Sequence, residues 1–253
     1  MSRAWPDPTL HLAIAPDFDE AITRDYLEYI YRGPYKRKNR NLSLAIIYPL
    51  DLRGRNIMMD EEINMFGKMA MALNILEDTQ DFAAIIPEVR TNLVYAREKA
   101  KTRDEVLGVE GRITVVNGFP QAAGKPRFGA SSHMARLLLE IRKIDPTIRA
   151  GIDFANNPAF ARWLQDYCSA RGWTFSVIDR RNEPEEIREA EGASMPWKAA
   201  EAIRAAGGCV PKIFYETGAI GKEPVSVLVG KDPIEVVEQV CEIARLYHEE
   251  REQ

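Results

Sequence analysis

Along the chain, segments whose apolar residues recur at helical spacing alternate with short apolar runs typical of strands. This alternation predicts a layered domain of helices and sheet. From Met59 to Phe82, apolar residues recur at helical spacing and acidic residues come early, which predicts an amphipathic helix with a methionine stripe in the core. Short apolar runs then predict strands at 83–89, 111–117, 148–154, 173–179, 212–218 and 225–230. Longer segments predict helices at 131–144, 158–172, 196–208 and 233–250. Strands that alternate with helices favour an α/β fold.

The first 58 residues have a different texture, and we predict that they form an N-terminal extension of unknown role before a domain at 59–253. Residues 17–33 have helical periodicity, and residues 42–50 resemble a strand. Between them lies a basic cluster of Lys36, Arg37, Lys38 and Arg40. A solvated loop is the favoured interpretation of so short a charge run, and a contact with an anion or nucleic acid is the alternative.

Composition narrows the class of protein. Hydrophobic residues make up 45% of the 253 residues and charged residues 28%, as in ordinary globular proteins. The formal net charge of −4 gives no global attraction to nucleic acid. The cysteines, Cys168, Cys209 and Cys241, have neither disulfide-like nor metal-ligand spacing. Because the sequence has no secretory signal and no apolar run near the roughly 20 residues of a membrane span, we expect a cytoplasmic protein.

The stretch RFGASSHMAR, residues 127–136, is the first candidate for chemistry. The first turn of a helix has free N–H groups and a partial positive charge, which together favour anion binding. Gly129 allows close approach to a ligand, and Ser131 and Ser132 either cap the helix or donate hydroxyl groups. His133 and Arg136 lie three residues apart and share one face of the helix. The simpler alternative is a capped helix whose histidine only packs against its neighbours.

Two further turns carry polar residues at the ends of apolar runs. Glu88 and Asn92 come just beyond the apolar residues of the strand expected at 83–89, and Arg112 follows Gly111 at a strand start. Taken singly, each has a structural explanation: a surface acid, a helix cap and a surface charge at a turn.

The turn GAIGKEP contains Gly221, Lys222 and Glu223 just before a strand. It has the features of a hairpin loop, but two glycines around a lysine also suit a phosphate. It is not a Walker loop, and the motifs HExxH, GxSxG and GxGxxG do not occur in the sequence. From spacing alone, the sequence predicts an α/β domain with several candidate anion-binding turns.

Five motifs together resemble one family. In order along the chain, they resemble the ThiN domain of thiamine-phosphate synthases over about residues 60–248: IPEVRTNLVYA, VEGRITV, FGASSHMARLLLEIRKIDPTIRAGIDF, RNEPEEIREAEGASMPW and ETGAIGKEPVSVLVGKDP. This resemblance implies a three-layer α/β/α sandwich with a mixed sheet, related to class II aldolase-like domains. It also implies a homodimer.

The reaction that the resemblance implies joins hydroxymethylpyrimidine diphosphate to hydroxyethylthiazole phosphate, giving thiamine monophosphate and pyrophosphate. Arg112 and His133 match an arginine and a histidine that are essential in the family. A guanidinium suits the pyrophosphate because it is always charged and has forked donors. The imidazole can donate to a phosphate oxygen or supply a proton as pyrophosphate leaves.

The other candidate residues complete an expected substrate site. We expect Gly129, Ser131 and Ser132, with Arg136 on the same helix, to bind a phosphate. Lys222 would neutralise the remaining charge, and Gly221 would allow close approach to it. Glu88, Asn92 and Glu223 are candidates for pyrimidine recognition or for magnesium, and we expect Mg²⁺ to accompany the diphosphate substrate.

Two departures from the family leave other functions open. The family usually has asparagine at the position of Asp153 and aspartate at the position of Glu216, and an added charge at Asp153 can repel a phosphate or change the ligand. The first alternative is a regulatory domain that senses thiamine phosphates without catalysis. The second is an enzyme that couples a different heterocycle to a diphosphate.

Overall fold

The structure is a computed structural model that describes residues 57–189, 193–219 and 221–252. The basic cluster at 36–40 and the helix and strand expected before residue 51 lie outside these residues. Six α-helices are described: α1 (Ile57–Glu77), α2 (His133–Arg142), α3 (Pro158–Ala170), α4 (Glu185–Glu189), α5 (Ser194–Ala205) and α6 (Pro233–Glu252). Short 3₁₀ helices lie at Gln80–Ile85, Arg103–Glu105 and Arg180–Asn182.

Nine strands form a mixed sheet and a separate hairpin. The strands are β1 (Leu93–Ala96), β2 (Val106–Val109), β3 (Ile113–Val116), β4 (Phe119–Ala122), β5 (Pro126–Phe128), β6 (Ala150–Ala155), β7 (Phe175–Ile178), β8 (Ile213–Glu216) and β9 (Val225–Gly230). The seven-stranded sheet has the order β5-β2-β1-β6-β9-β8-β7. Its neighbours are antiparallel except for β7 and β8, which run parallel. The α/β class with a mixed sheet is therefore confirmed.

Helices cover both faces of the sheet. Consecutive side chains along a strand point to opposite faces, so each strand contributes to two separate hydrophobic clusters. Leu93 and Tyr95 belong to a hydrophobic cluster that includes residues of α1, α3 and α6. Val94 and Ala96 belong to a second cluster with residues of α2 and α5. Asp153 and Glu216 alternate with Phe154 and Tyr215, so they lie on the α2 and α5 side.

The hairpin of β3 and β4 stands apart from the main sheet. It is joined to the chain before β1 by an antiparallel bridge between Thr91 and Ile113. Its apolar side chains Val115, Val116 and Phe119 are exposed. This β3–β4 arm packs through β4 against α1 and the 3₁₀ helix at 80–85, and its base lies next to Arg112.

Most sequence-based elements agree with the structure, with one clear error. The strand expected at 83–89 is wrong: Gln80–Ile85 is a 3₁₀ helix, and its buried residues Phe82 and Ile85 lie three apart, as a helix requires. The short strands β1, β2, β4 and β5 are absent from the sequence-based prediction. In α1, the methionines at 65 and 69 are buried, which confirms the methionine stripe as core packing.

Candidate active site

The candidate residues gather at one edge of the sheet. The starts of β1 and β9 meet the ends of β2, β6 and β8 there because neighbouring strands are antiparallel. Asn92, Arg112 and Glu223 are attached to these strand ends, and the start of α2 lies above them. A topology that alternates strand direction therefore brings together residues from distant parts of the sequence.

Asp153, Asn92 and Ser131 are joined by hydrogen bonds at the centre of this edge. The backbone N–H of Asn92 donates to Asp153 Oδ1 at 2.7 Å, and Asn92 Nδ2 donates to Asp153 Oδ2 at 3.1 Å. Ser131 Oγ donates to Asn92 Oδ1 at 3.2 Å. Burial raises the pKa of Asp153 to about 6, against the opposing effect of the Asn92 hydrogen bonds and the Arg112 charge.

Arg112 is held at the turn after β2. Its φ is 67°, in the left-handed region that favours glycine, and its Nη1 donates to Val89 O at 2.5 Å. Arg90, with φ of 70°, donates from its own Nη1 to Gly111 O at 3.0 Å. The two turns are therefore tied together, and Arg112 is directed along the edge where Asp153 lies.

His133 is the first residue of α2 and is exposed. Partial burial lowers the pKa of the imidazole, and so do the positive charges of Lys198, Arg112 and Arg136, while Glu216 acts in the opposite direction. The imidazole is thus placed among cations at a helix start, which is the environment that an anion would complete. Ser132 occupies the N-cap position, but its side chain makes no capping hydrogen bond.

A buried ionic network lies beside His133, and sequence reasoning missed most of it. Arg180 and Glu183 have side chains only 1% exposed and pair at 2.6 Å. Glu216 pairs with Arg180, and with Lys198 at 2.6 Å. Lys222 Nζ lies 3.9 Å from Glu183, so the GKEP turn reaches this network. Glu183 lies within the family motif at 181–197, whereas Arg180 and Lys198 flank that motif and their shared partner Glu216 is distant in sequence.

The GKEP turn is a tight hairpin, as one of the two interpretations expected. Ala219 and Lys222 exchange backbone hydrogen bonds at 3.0 and 2.8 Å. Gly221 has φ of 70°, and an added Cβ would meet no atom within 4 Å, so the conformation and not the space requires glycine. Glu223 Oε2 accepts from Val89 N–H at 3.5 Å, which brings this turn against the turn of Arg90.

Three predicted residues have other surroundings. Gly129 lies at a turn with φ of 74°, where an added Cβ would be 2.9 Å from Asp104 Oδ1. Glu88 is exposed beside Val89. Arg136 lies within electrostatic range of His133 and also lines a groove of about 850 Å³ along α2, together with Lys99, Lys101, Arg142 and Lys143.

The carboxylates of this edge differ in how far their oxygens are already used. Both oxygens of Asp153 accept from Asn92, and Glu216 accepts from Arg180 and Lys198. Among the residues that the structure describes, no three His, Cys, Asp or Glu side chains could together hold a metal ion. Asp153 and Glu216 are thus already engaged by donors of the protein itself.

The class of protein is therefore an α/β domain with cationic side chains and a helix start at one sheet edge. The family model of the thiamine-phosphate synthase ThiN matches residues 68–242. The chain belongs to this family.

Relatives and solved structures agree with this assignment. The chain is 39% identical over 176 residues to the thiamine-phosphate synthase ThiN of Methanothermobacter thermautotrophicus, covering 70% of this chain and 90% of that protein. It is 33% identical to the bifunctional thiamine biosynthesis protein ThiDN of Methanocaldococcus jannaschii, covering 65% of this chain and 37% of that protein. The crystal structure of the C-terminal domain of a phosphomethylpyrimidine kinase matches with a TM-score of 0.68 and 34% identity, covering 72% of this chain and 100% of that one.

Proposed function

We propose that the protein is a thiamine-phosphate synthase, a transferase that couples hydroxymethylpyrimidine diphosphate to hydroxyethylthiazole phosphate. The observation that carries this proposal is the match to the thiamine-phosphate synthase family over residues 68–242, with Arg112 and His133 near one sheet edge. In this reaction, the lone pair of the thiazole nitrogen forms a bond to the pyrimidine methylene carbon. The carbon–oxygen bond to the diphosphate breaks, and its electron pair leaves with pyrophosphate.

The chain's own residues would hold the departing group and stabilise its charge. Arg112 donates to pyrophosphate oxygens, and His133 donates to a phosphate oxygen or transfers a proton to it. The free N–H groups at the start of α2 and the Ser132 hydroxyl bind phosphate, and Lys222 adds a positive charge. No covalent nucleophile is required, because positioning and electrostatic stabilisation account for the acceleration.

The remaining candidates are proposed for the pyrimidine and the metal. Asn92 and Glu223 lie at the same edge, and the exposed Glu88 precedes Val89, whose N–H donates to Glu223 Oε2 at 3.5 Å. Mg²⁺ would neutralise diphosphate oxygens and would arrive with that substrate. Asp153 and Gly221 shape the site without a proposed contact to the metal.

Catalysis is favoured over sensing by the same geometry. A sensor needs only affinity, whereas here an arginine is held in a sparsely populated backbone conformation beside a histidine among cations. A regulatory domain that binds thiamine phosphates without turnover remains the alternative function to be tested.

The finer structural expectations are also proposals. The two hydrophobic clusters on opposite faces of the sheet support a three-layer α/β/α sandwich of the class II aldolase-like type. The exposed Val115, Val116 and Phe119 of the β3–β4 arm support a homodimer. Within the described ranges, no helix is long and apolar enough to cross a bilayer. A cytoplasmic location is part of the proposal.

The decisive experiment is product formation by the full-length protein. Purified protein is incubated with both precursors and Mg²⁺, and thiamine monophosphate and pyrophosphate are measured. Equal formation of the two products supports the synthase. Binding of thiamine monophosphate without turnover would support the sensor, and neither binding nor product would indicate another heterocycle.

A further inference from the structure

Three side chains at the centre of the candidate site form hydrogen bonds with a defined direction. An ionised carboxylate only accepts hydrogen bonds, so Asp153 obliges the Asn92 amide to present Nδ2, at 3.1 Å. Asn92 Oδ1 is then turned toward Ser131 and accepts from its hydroxyl at 3.2 Å. The orientation of the Asn92 amide therefore follows from the chemistry of Asp153.

We infer that Asp153 is a positioning residue that sets the direction of these hydrogen bonds and withholds the Ser131 hydroxyl proton from a bound phosphate. A serine hydroxyl has one proton, and here it is donated to Asn92. What Ser131 offers to a ligand is a lone pair, which suits an N–H or O–H group such as an amino group on a heterocycle. Phosphate oxygens, which are acceptors, are left to the backbone of α2 and to the cationic side chains.

Close packing around Ser131 holds its side chain in this position. The residue is 5% exposed. A Cβ added at Gly108 of β2 would lie 3.2 Å from Ser131 Cβ, so Ser131 lies directly against this strand. Asp153 N–H also donates to Asn92 O at 3.2 Å, which makes three hydrogen bonds between these two residues. Rotation of the Asn92 amide is the remaining way to reverse the direction.

An asparagine at position 153 would cause that reversal. Its Oδ1 would keep the hydrogen bond to the backbone N–H of Asn92, and its Nδ2 would require an acceptor. Asn92 would then turn Oδ1 toward residue 153 and Nδ2 toward Ser131. The Ser131 oxygen would accept, and its proton would be free for a phosphate oxygen.

Pyrophosphate binding to the full-length protein tests this inference, which rests on the proposed function because it concerns the same anion site. Calorimetry at about pH 8, where Asp153 is ionised, measures affinity for inorganic pyrophosphate in the wild type, Ser131→Ala, Asp153→Asn and the double variant. We expect Asp153→Asn to bind about tenfold more tightly, from the lost negative charge and the released proton. Ser131→Ala should lower the affinity about fivefold more in the Asp153→Asn background than in the wild type.

A larger effect of Ser131→Ala in the Asp153→Asn background is the result that supports the inferred role of Asp153 in setting the direction of the hydrogen bonds. An equal effect in both backgrounds would overturn the inference, and the charge of Asp153 alone would then explain its influence on pyrophosphate affinity. A swapped variant, Asn92→Asp with Asp153→Asn, keeps the net charge and restores Ser131 as a donor to residue 92, so its response to Ser131→Ala should match the wild type.

Two further measurements keep the inference testable. If Asp153→Asn does not fold, Asn92→Ala provides the comparison, because it also removes the acceptor of the Ser131 proton and should also increase the effect of Ser131→Ala. Lack of pyrophosphate binding by every folded variant would overturn the inference. If pyrophosphate binds as expected but no thiamine monophosphate is formed, the proposed synthase activity is overturned and the inferred role of Asp153 still holds.

Discussion

Arg90 and Arg112 each donate a hydrogen bond to the carbonyl group of the residue that precedes the other. Arg90 Nη1 lies 3.0 Å from Gly111 O, and Arg112 Nη1 lies 2.5 Å from Val89 O. Both arginines have positive φ, which costs on the order of 1–2 kcal/mol for a side chain with a Cβ. The reciprocal bonds and the Thr91–Ile113 bridge hold the two turns in this conformation.

Loss of either arginine should therefore affect turnover, but by different amounts. Arg112→Ala removes the proposed pyrophosphate contact and should lower kcat about 10²–10³-fold. Arg90→Ala only loosens the turn of Arg112 and should lower kcat/KM about tenfold. Initial rates of thiamine monophosphate formation measure both effects, with Arg127→Ala, an exposed arginine paired with Glu110, as the control. Near-normal rates for Arg112→Ala would exclude its assigned role.

His133 should make anion binding depend on pH. Since burial and three cations lower its pKa, the imidazole is neutral near pH 7 in the empty site, and an anion favours its protonated form. Affinity for sulfate, whose charge is constant over this range, should increase as the pH falls below about 6.5. The Asp153 carboxyl titrates in the same range, so the measurement is made in Asp153→Asn with and without His133→Gln. An identical pH profile in the two variants would contradict this role of His133.

Two adjacent arginines provide a matched test of the buried ionic network. The Arg180 side chain is 1% exposed and pairs with Glu183 and Glu216, whereas Arg181 is 87% exposed and pairs with Asp179. Arg180→Met leaves two buried carboxylates without this cation and should cost about 3–5 kcal/mol of unfolding free energy. Arg181→Met should cost about 0.5 kcal/mol or less. Urea unfolding of the two variants measures the difference, and equal midpoints would show that the network contributes nothing to stability.

Asp153 should make the protein less stable as the pH rises. Its pKa is raised from the ordinary 3.8 to about 6, so the folded state binds its proton more tightly than the unfolded state. This contribution is fully present below about pH 4 and is lost as the pH rises through 6, a change on the order of 3 kcal/mol. Asp153→Asn lacks it, so the stability of the variant relative to wild type should rise across this interval. Thermal unfolding of both proteins between pH 4 and 7 measures this change. A difference in Tm between wild type and variant that stays constant with pH would contradict the prediction.

The sequence predicted the elements whose periodicity was strong. Strand β9 coincides with the expected 225–230, and α2 begins two residues after the expected 131. The strands missing from the prediction have only three or four residues, and two of them contain residues that weaken strand patterns, Gly108 in β2 and Pro120 in β4. Strand β1, LVYA, contains no such residue, and its four residues are too few to show a clear period. At 83–89, buried residues at a spacing of three were mistaken for a strand.

The sequence indicates which residues are candidates for the site, but it does not indicate which of them contact one another. Arg112 and His133 follow from the resemblance to the family, since neither residue is distinctive alone. The pairing of Arg180 with Glu216 joins residues 36 positions apart, and local sequence contains no trace of it. The same holds for Asp153 and Asn92, whose hydrogen bonds depend on the register of β6 against β1.

The β3–β4 arm begins at Ile113, immediately after Arg112, and its outer end carries Val116 and Phe119. Its strand β4 packs against α1 and the 3₁₀ helix at 80–85, and the N–H of Ala122 donates to Glu77 Oε1 at 2.8 Å. The backbone that carries Arg112 is therefore continuous with a hairpin that is fixed against the core helices. The position of the guanidinium thus depends on how this hairpin packs against α1, some distance from the site itself.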